Sequence, residues 1–313
     1  MPEIENTDGS LKTSDEMDQS GVSESVGSNG KRGPRGKKFY VLGLVIVFVA
    51  VYSQYLFQYW GVHLGLISGS LLVYGVPVLA ITLLLGTATI RRFFKNTYSG
   101  LKLGLGLFGA FTVLGIVLAA VILIFLAALD PSTIKLLDNP NPVLQVSPDF
   151  AWIMVGVSFL VTGPAEEYIF RGFMFGGLLG IFKNRHWLIL AFVSSLLFSA
   201  THLYYAFAYG PASLVQFADL VTFGMAMAGT YYFSGGNLFA PALIHGAFDA
   251  TAFVGVATST IVGTGLRAFM ILLGITVAFL LYIQRGSRRN QIPSNLPQEN
   301  TRATGFLGGA DQI

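Results

Sequence analysis

The sequence predicts an all-α, polytopic transmembrane helical bundle of about eight spans. Three observations predict it. Of the 313 residues, 53% are hydrophobic and only 11% are charged, whereas soluble proteins carry about 25% charged residues. The apolar residues gather in runs long enough to cross a hydrocarbon core of about 30 Å. Basic residues recur between alternate runs, as cytoplasmic loops require. There is no cysteine, which excludes disulfides, thiolate metal sites and a cysteine nucleophile.

Residues 1–38 read as a polar N-terminal tail. Its first thirty positions hold seven acidic residues among many Ser and Gly, a composition that cannot bury a core. The first apolar run starts only at Phe39, too late for an ordinary cleavable signal peptide. Lys31, Arg32, Arg35, Lys37 and Lys38 precede that run as a juxtamembrane topology signal, and no nucleic-acid partner is expected.

The bundle occupies residues 39–284. Its expected spans are Phe39–Tyr59, Leu66–Thr89, Leu103–Leu129, Phe150–Phe182, Trp187–Tyr209, Ser213–Ser234, Leu238–Ala257 and Leu266–Gln284. Arg91, Arg92, Lys95 and Lys102 follow the second span, Lys183 and Arg185 the fourth, and Arg285, Arg288 and Arg289 the eighth. The Asp130–Asp149 connection has one Lys and three Asp. Eight crossings with both termini cytoplasmic place every basic cluster on one side. Gly210-Pro211 and Gly235-Gly236-Asn237 predict tight hairpins, and Gly172, Gly176 and Gly180 predict a close helix approach. Residues 285–313 read as a polar tail.

Ionisable side chains inside a membrane are costly and mark function. Those the spans supply are Glu166, Glu167 and Arg171 in the fourth, His202 in the fifth, Asp219 in the sixth, and His245 and Asp249 in the seventh. At 1.5 Å per residue, Glu166, His202, His245 and Asp249 fall about 12 to 24 Å from the cytoplasmic ends of their spans, one shared layer. Glu167 and Arg171 are four apart and form an ion pair on one helix face. Glu166 points about 100° away from Glu167, towards water or substrate. Pro164 removes a backbone donor just before them. His245 and Asp249 also share a face, and Phe198 lies one turn before His202. A Glu–Arg pair alone reads equally well as a structural lock. Burying this many charges for stability alone brings no gain.

A carboxylate, two histidines and an aspartate suit water activation, with Glu as the base and His beside the hydroxide or oxyanion. The sequence has no H-E-x-x-H zinc motif, no G-x-S-G serine motif and no aspartate pair in a G-x-G-D context within the spans.

Glu166-Glu167…Arg171, Phe198…His202 and His245…Asp249 together resemble the motifs of the CPBP (ABI) intramembrane proteases, which include the type II CAAX prenyl endopeptidases. The resemblance covers residues 149–255. It implies a protease core that hydrolyses a peptide bond of membrane-associated or prenylated, CAAX-like proteins. It implies Glu166 as the carboxylate that activates water, His202 as its partner, and His245 as the oxyanion donor with Asp249 beside it. Glu167, Arg171 and Phe198 are implied as support. Some members carry Asn at the position of Asp249, so Asp249 acts either as a protonated carboxyl or by orienting His245. The expectation is a metal-free glutamate mechanism; the alternative is zinc held by Glu166, His202, His245 and Asp249. The expected partners are membrane lipid and a lipidated or membrane-associated protein substrate, in the cell membrane. The competing readings are a proton-coupled transporter, whose paired halves are not evident here, and a non-proteolytic, immunity-type membrane protein.

Overall fold

A computed structural model describes residues 33–60, 65–85, 100–132, 146–203 and 214–290. The acidic tail, His63, Arg91, Arg92, Lys95, Gly210-Pro211 and most of the Asp130–Asp149 connection lie outside the described residues. Within them the chain is helical and has no strand, and one helix stands at each expected span. They are α1 (Gly33–Tyr59), α2 (66–85), α3 (Leu101–Leu129), α4 (Pro148–Ile181), α5 (Trp187–Ala200), α6 (Leu214–Phe233), α7 (Phe239–Ala257) and α8 (Thr260–Asn290).

Six of these, all but α5 and α6, are long and apolar enough to cross a membrane. The two exceptions have separate causes. Helix α5 has 14 residues, about 21 Å of rise, where a span ending at Tyr209 was expected. It ends in a tighter turn, in which the Thr201, His202 and Leu203 N–H groups donate to the carbonyls three residues back, those of Phe198, Ser199 and Ala200. Thr201 donates its hydroxyl to the Phe198 carbonyl at 2.6 Å, and the Tyr52 hydroxyl from α1 donates to the Ala200 carbonyl. Helix α6 carries Gln216, Asp219, Thr222 and Thr230, and it lies inside the bundle, with Ala226, Met227, Ala228 and Tyr231 buried.

The exterior is what a lipid-facing bundle requires. Val45 and Val49 on α1, Leu79 and Leu83 on α2, Ile124 and Phe125 on α3, and Phe269, Leu272 and Phe279 on α8 are exposed. In water such a surface would be an aggregation liability; in hydrocarbon it is neutral. The chain is an integral, multi-pass membrane protein. Helix α4 runs through the middle and touches α1, α2, α5, α6 and α7, while α3 packs between α6 and α8.

Helix α4 is not the continuous α-helix that its apolar run predicts. It contains two π-helical stretches, Ser158–Thr162 and Tyr168–Phe175. The first accommodates Pro164, whose missing N–H leaves the Leu160 carbonyl without its usual donor. Between the two stretches sits a short α-helical segment, Gly163–Glu167, which carries both glutamates. A third such turn, Leu71–Gly75 in α2, carries Tyr74. π-turns are often found at functional sites.

Two glycines bring α4 and α7 to backbone contact. A Cβ on Gly163 would lie 2.6 Å from the Ala242 carbonyl oxygen, and one on Gly246 would lie 2.7 Å from that of Ser158. The predicted Gly235-Gly236-Asn237 hairpin is present. Gly235 and Gly236 take positive φ, and the Asn237 side chain accepts from the Phe239 N–H at 2.7 Å to start α7.

Candidate active site

The close approach of α4 and α7 sets His245 against the two glutamates. Both carboxylates are buried: Glu166 is 8% exposed and Glu167 is fully enclosed. Glu167 Oε1 meets Arg171 Nη1 at 3.0 Å, the expected pair one turn apart. The same oxygen accepts from His245 Nδ1 at 2.7 Å. Glu167 therefore serves two partners, and it rather than Asp249 meets Nδ1 of the imidazole. Its other oxygen, Oε2, has no hydrogen-bond partner among the described residues.

Glu166 is turned differently, as its place one residue earlier requires. Its Oε1 accepts from the Tyr74 hydroxyl at 3.0 Å, and Thr162 hydrogen-bonds that hydroxyl as well. Its Oε2 lies 3.6 Å from His245 Nε2. Asp249 Oδ2 lies at the same distance from the same nitrogen. Both separations are too long for a direct hydrogen bond and too short for a water to lie between the atoms; a water that touches both sits beside the pair.

Phe198 organises the opposite wall. The Arg171 guanidinium carbon stands 4.7 Å over its ring, a contact that a desolvated cation makes favourably. Arg171 also donates from Nη2 to the Gly224 carbonyl at 3.4 Å. The rings of His202 and His245 approach Phe198 at 5.1 and 6.2 Å between centroids. His202 stands in the turn after α5 rather than within a helix. Its Nδ1 lies 3.2 Å from the Phe198 carbonyl. A carbonyl only accepts, so that nitrogen carries the proton and Nε2 of the neutral ring is an acceptor. His202 is within electrostatic reach of both Glu166 and His245.

The structure thus brings Glu166, Glu167, Arg171, Phe198, His202, His245 and Asp249 to one place. Asp219 lies apart from them; the charge it faces is Arg267. Three residues near the site were not among the expected ones. Tyr74 is an uncharged tyrosine among many, so only its contact reveals it. Arg267, at the start of the expected eighth span, is an intramembrane charge and was legible as such. The ring of Phe223, 4.9 Å from that of His245, looks in the sequence like any core residue.

A zinc site would ask Glu166, His202, His245 and Asp249 to converge on one ion. His245 has given Nδ1 to Glu167, which leaves Nε2 as its available ring nitrogen. Among the described residues no three His, Asp or Glu side chains are arranged to hold a metal.

No curated protein and no solved structure matches the chain. Residues 148–251, from the start of α4 into α7, match the family model described as type II CAAX prenyl endopeptidase Rce1-like.

Proposed function

We propose that the chain is an intramembrane endopeptidase in which Glu166 activates a water without a resident metal. The observation that carries this reading is that Glu166 Oε2 and His245 Nε2 stand 3.6 Å apart without a direct hydrogen bond, so that one water beside the pair can reach both. A water placed there has a carboxylate to take its proton. Glu166 removes that proton as the water oxygen bonds to the scissile carbonyl carbon. The carbon–nitrogen bond then breaks, and the proton passes to the leaving nitrogen. Tyr74 holds Glu166 Oε1, which leaves Oε2 to that water. His202 assists through Nε2 as an acceptor.

His245 is the oxyanion donor. With Nδ1 on Glu167, Nε2 donates only from the doubly protonated ring, and Glu167 is then its counter-ion. Burial strengthens each of these contacts, since preorganised donors act best where water is excluded. The substrate class is a membrane-associated or prenylated protein. The basic residues support cytoplasmic termini: Lys37 and Lys38 open α1, Lys102 opens α3, and Lys183 and Arg185 join α4 to α5. In an alternating bundle these positions share one face.

The test is cleavage of a fluorogenic farnesylated peptide by purified protein. Glu166→Ala and His202→Ala abolish turnover while detergent-solubilised protein keeps its helical circular dichroism. Unchanged turnover in Glu166→Ala removes it as the base. Turnover lost to a strong chelator and restored by zinc overturns the metal-free mechanism.

A further inference from the structure

Arg267 is a charge near the site that the proposed chemistry does not use. It stands on α8, half-buried, facing α7. Its Nε donates to Thr251 Oγ1 at 3.2 Å, and its guanidinium carbon lies 4.5 Å over the Phe248 ring. Asp249 and Asp219 are within electrostatic reach, but among the described residues no carboxylate comes within ion-pair distance. The side chain is therefore held by Nε and by its flat face. Its two Nη nitrogens, the prongs that grip a carboxylate, are engaged by none of these contacts.

On the peptidase reading of the neighbouring site, we propose that Arg267 binds the free C-terminal carboxylate of the substrate, three residues beyond the bond that is cut. The spacing fits. Thr251 is six residues past His245 on α7, an axial distance of about 9 Å. Three extended residues span about 10 Å. The surface between the two ends fits as well. His245 packs against Phe223 at 4.9 Å, Phe223 against Phe248 at 5.3 Å, and Phe248 carries Arg267. A wall of rings thus leads from the imidazole to the guanidinium. It suits two aliphatic side chains followed by an anion, which is the C-terminal pattern of a prenylation motif. Asp219 supplies charge that keeps Arg267 inside the bundle without substrate.

The experiment compares a farnesylated peptide ending in a free carboxylate with the same peptide as its C-terminal amide. Wild-type protein favours the acid in kcat/KM by about 10- to 100-fold, the range for a charge-assisted hydrogen-bonded pair. Arg267→Gln loses that preference, and its helical circular dichroism in detergent, equal to wild type, shows that it folds. Arg267→Lys, which keeps the charge but not the fork, recovers only part of the preference. Equal cleavage of acid and amide by wild-type protein overturns the proposal, as does a preference that survives in Arg267→Gln. If wild-type protein cleaves neither peptide, the peptidase reading falls. Binding of the two peptides, followed by tryptophan fluorescence, then decides on Arg267: tighter binding of the acid that Arg267→Gln abolishes supports it, and equal binding overturns it.

Discussion

Glu167 Oε1 accepts from His245 Nδ1 at 2.7 Å while it pairs with Arg171 Nη1 at 3.0 Å. One enclosed oxygen thereby ties α7 to α4 and sets the angle of the imidazole. The adjacent glutamates divide the work. Glu167 faces inward as the orienting group, and Glu166 faces Nε2 of the imidazole.

Glu167 is therefore expected to matter for both fold and activity. Glu167→Ala leaves a guanidinium and an imidazole without their carboxylate in a dry interior. Breaking a buried pair from one side costs about 3–5 kcal/mol. The melting temperature of the detergent-solubilised protein falls markedly, and turnover is lost. Glu167→Gln keeps the shape and one acceptor, so it recovers stability more than activity. If Glu167→Ala melts like the wild type, the shared-oxygen account is wrong.

Tyr74 gives a cleaner separation of the two effects. Its hydroxyl reaches Glu166 Oε1 at 3.0 Å from another helix. Tyr74→Phe removes one oxygen and preserves the ring. The fold loses about 1 kcal/mol, the net value of a typical hydrogen bond. Turnover falls about 10-fold because Glu166 is no longer held, and the loss is in kcat. A kcat equal to wild type would show that Glu166 keeps its place without this hydroxyl.

The comparison between sequence and structure turns on what each residue type announces. Charges in apolar runs are loud, so Glu166, Glu167, Arg171, His245 and Asp249 stand out, and helical spacing alone pairs Glu167 with Arg171. The same spacing pairs His245 with Asp249 and misses the closer Glu167 contact. Which faces of α4 and α7 meet depends on Gly163 and Gly246, and no local pattern states that. The π-turns are equally silent, since an apolar run reads the same with or without them. Helix α5 ends early in a tighter turn, where the Tyr52 hydroxyl of α1 also donates to the Ala200 carbonyl, a contact that only the packed bundle reveals.

Gly246 tests that geometry directly. An alanine there brings its Cβ to 2.7 Å from the Ser158 carbonyl oxygen and 3.0 Å from Phe159 Cα. Both are backbone atoms and cannot rotate away, so the helices must part. Overpacking of this kind costs about 1–3 kcal/mol. A displacement of about 1 Å in a catalytic constellation costs about 100-fold in rate. Gly246→Ala thus loses far more turnover than stability, read as kcat against melting temperature. Equal, small losses in both would mean that the α4–α7 spacing has slack.

Asp249 is the residue whose role the geometry narrows most. Glu167 already occupies Nδ1 of His245, so Asp249 is not needed to orient that ring. Its Oδ2 lies 3.6 Å from Nε2, the nitrogen proposed above to hold the oxyanion. A group there contributes as a donor, and an amide donates as well as a protonated carboxyl does. Asp249→Asn therefore keeps turnover within about 10-fold, while Asp249→Leu, with no donor, loses about 100- to 1,000-fold, the cost of one oxyanion-hole contact. Measured kcat for the two variants separates the cases. If Asn is as damaging as Leu, the negative charge of Asp249 is what counts, and its task is to balance His245 and Arg267 rather than to hold the oxyanion.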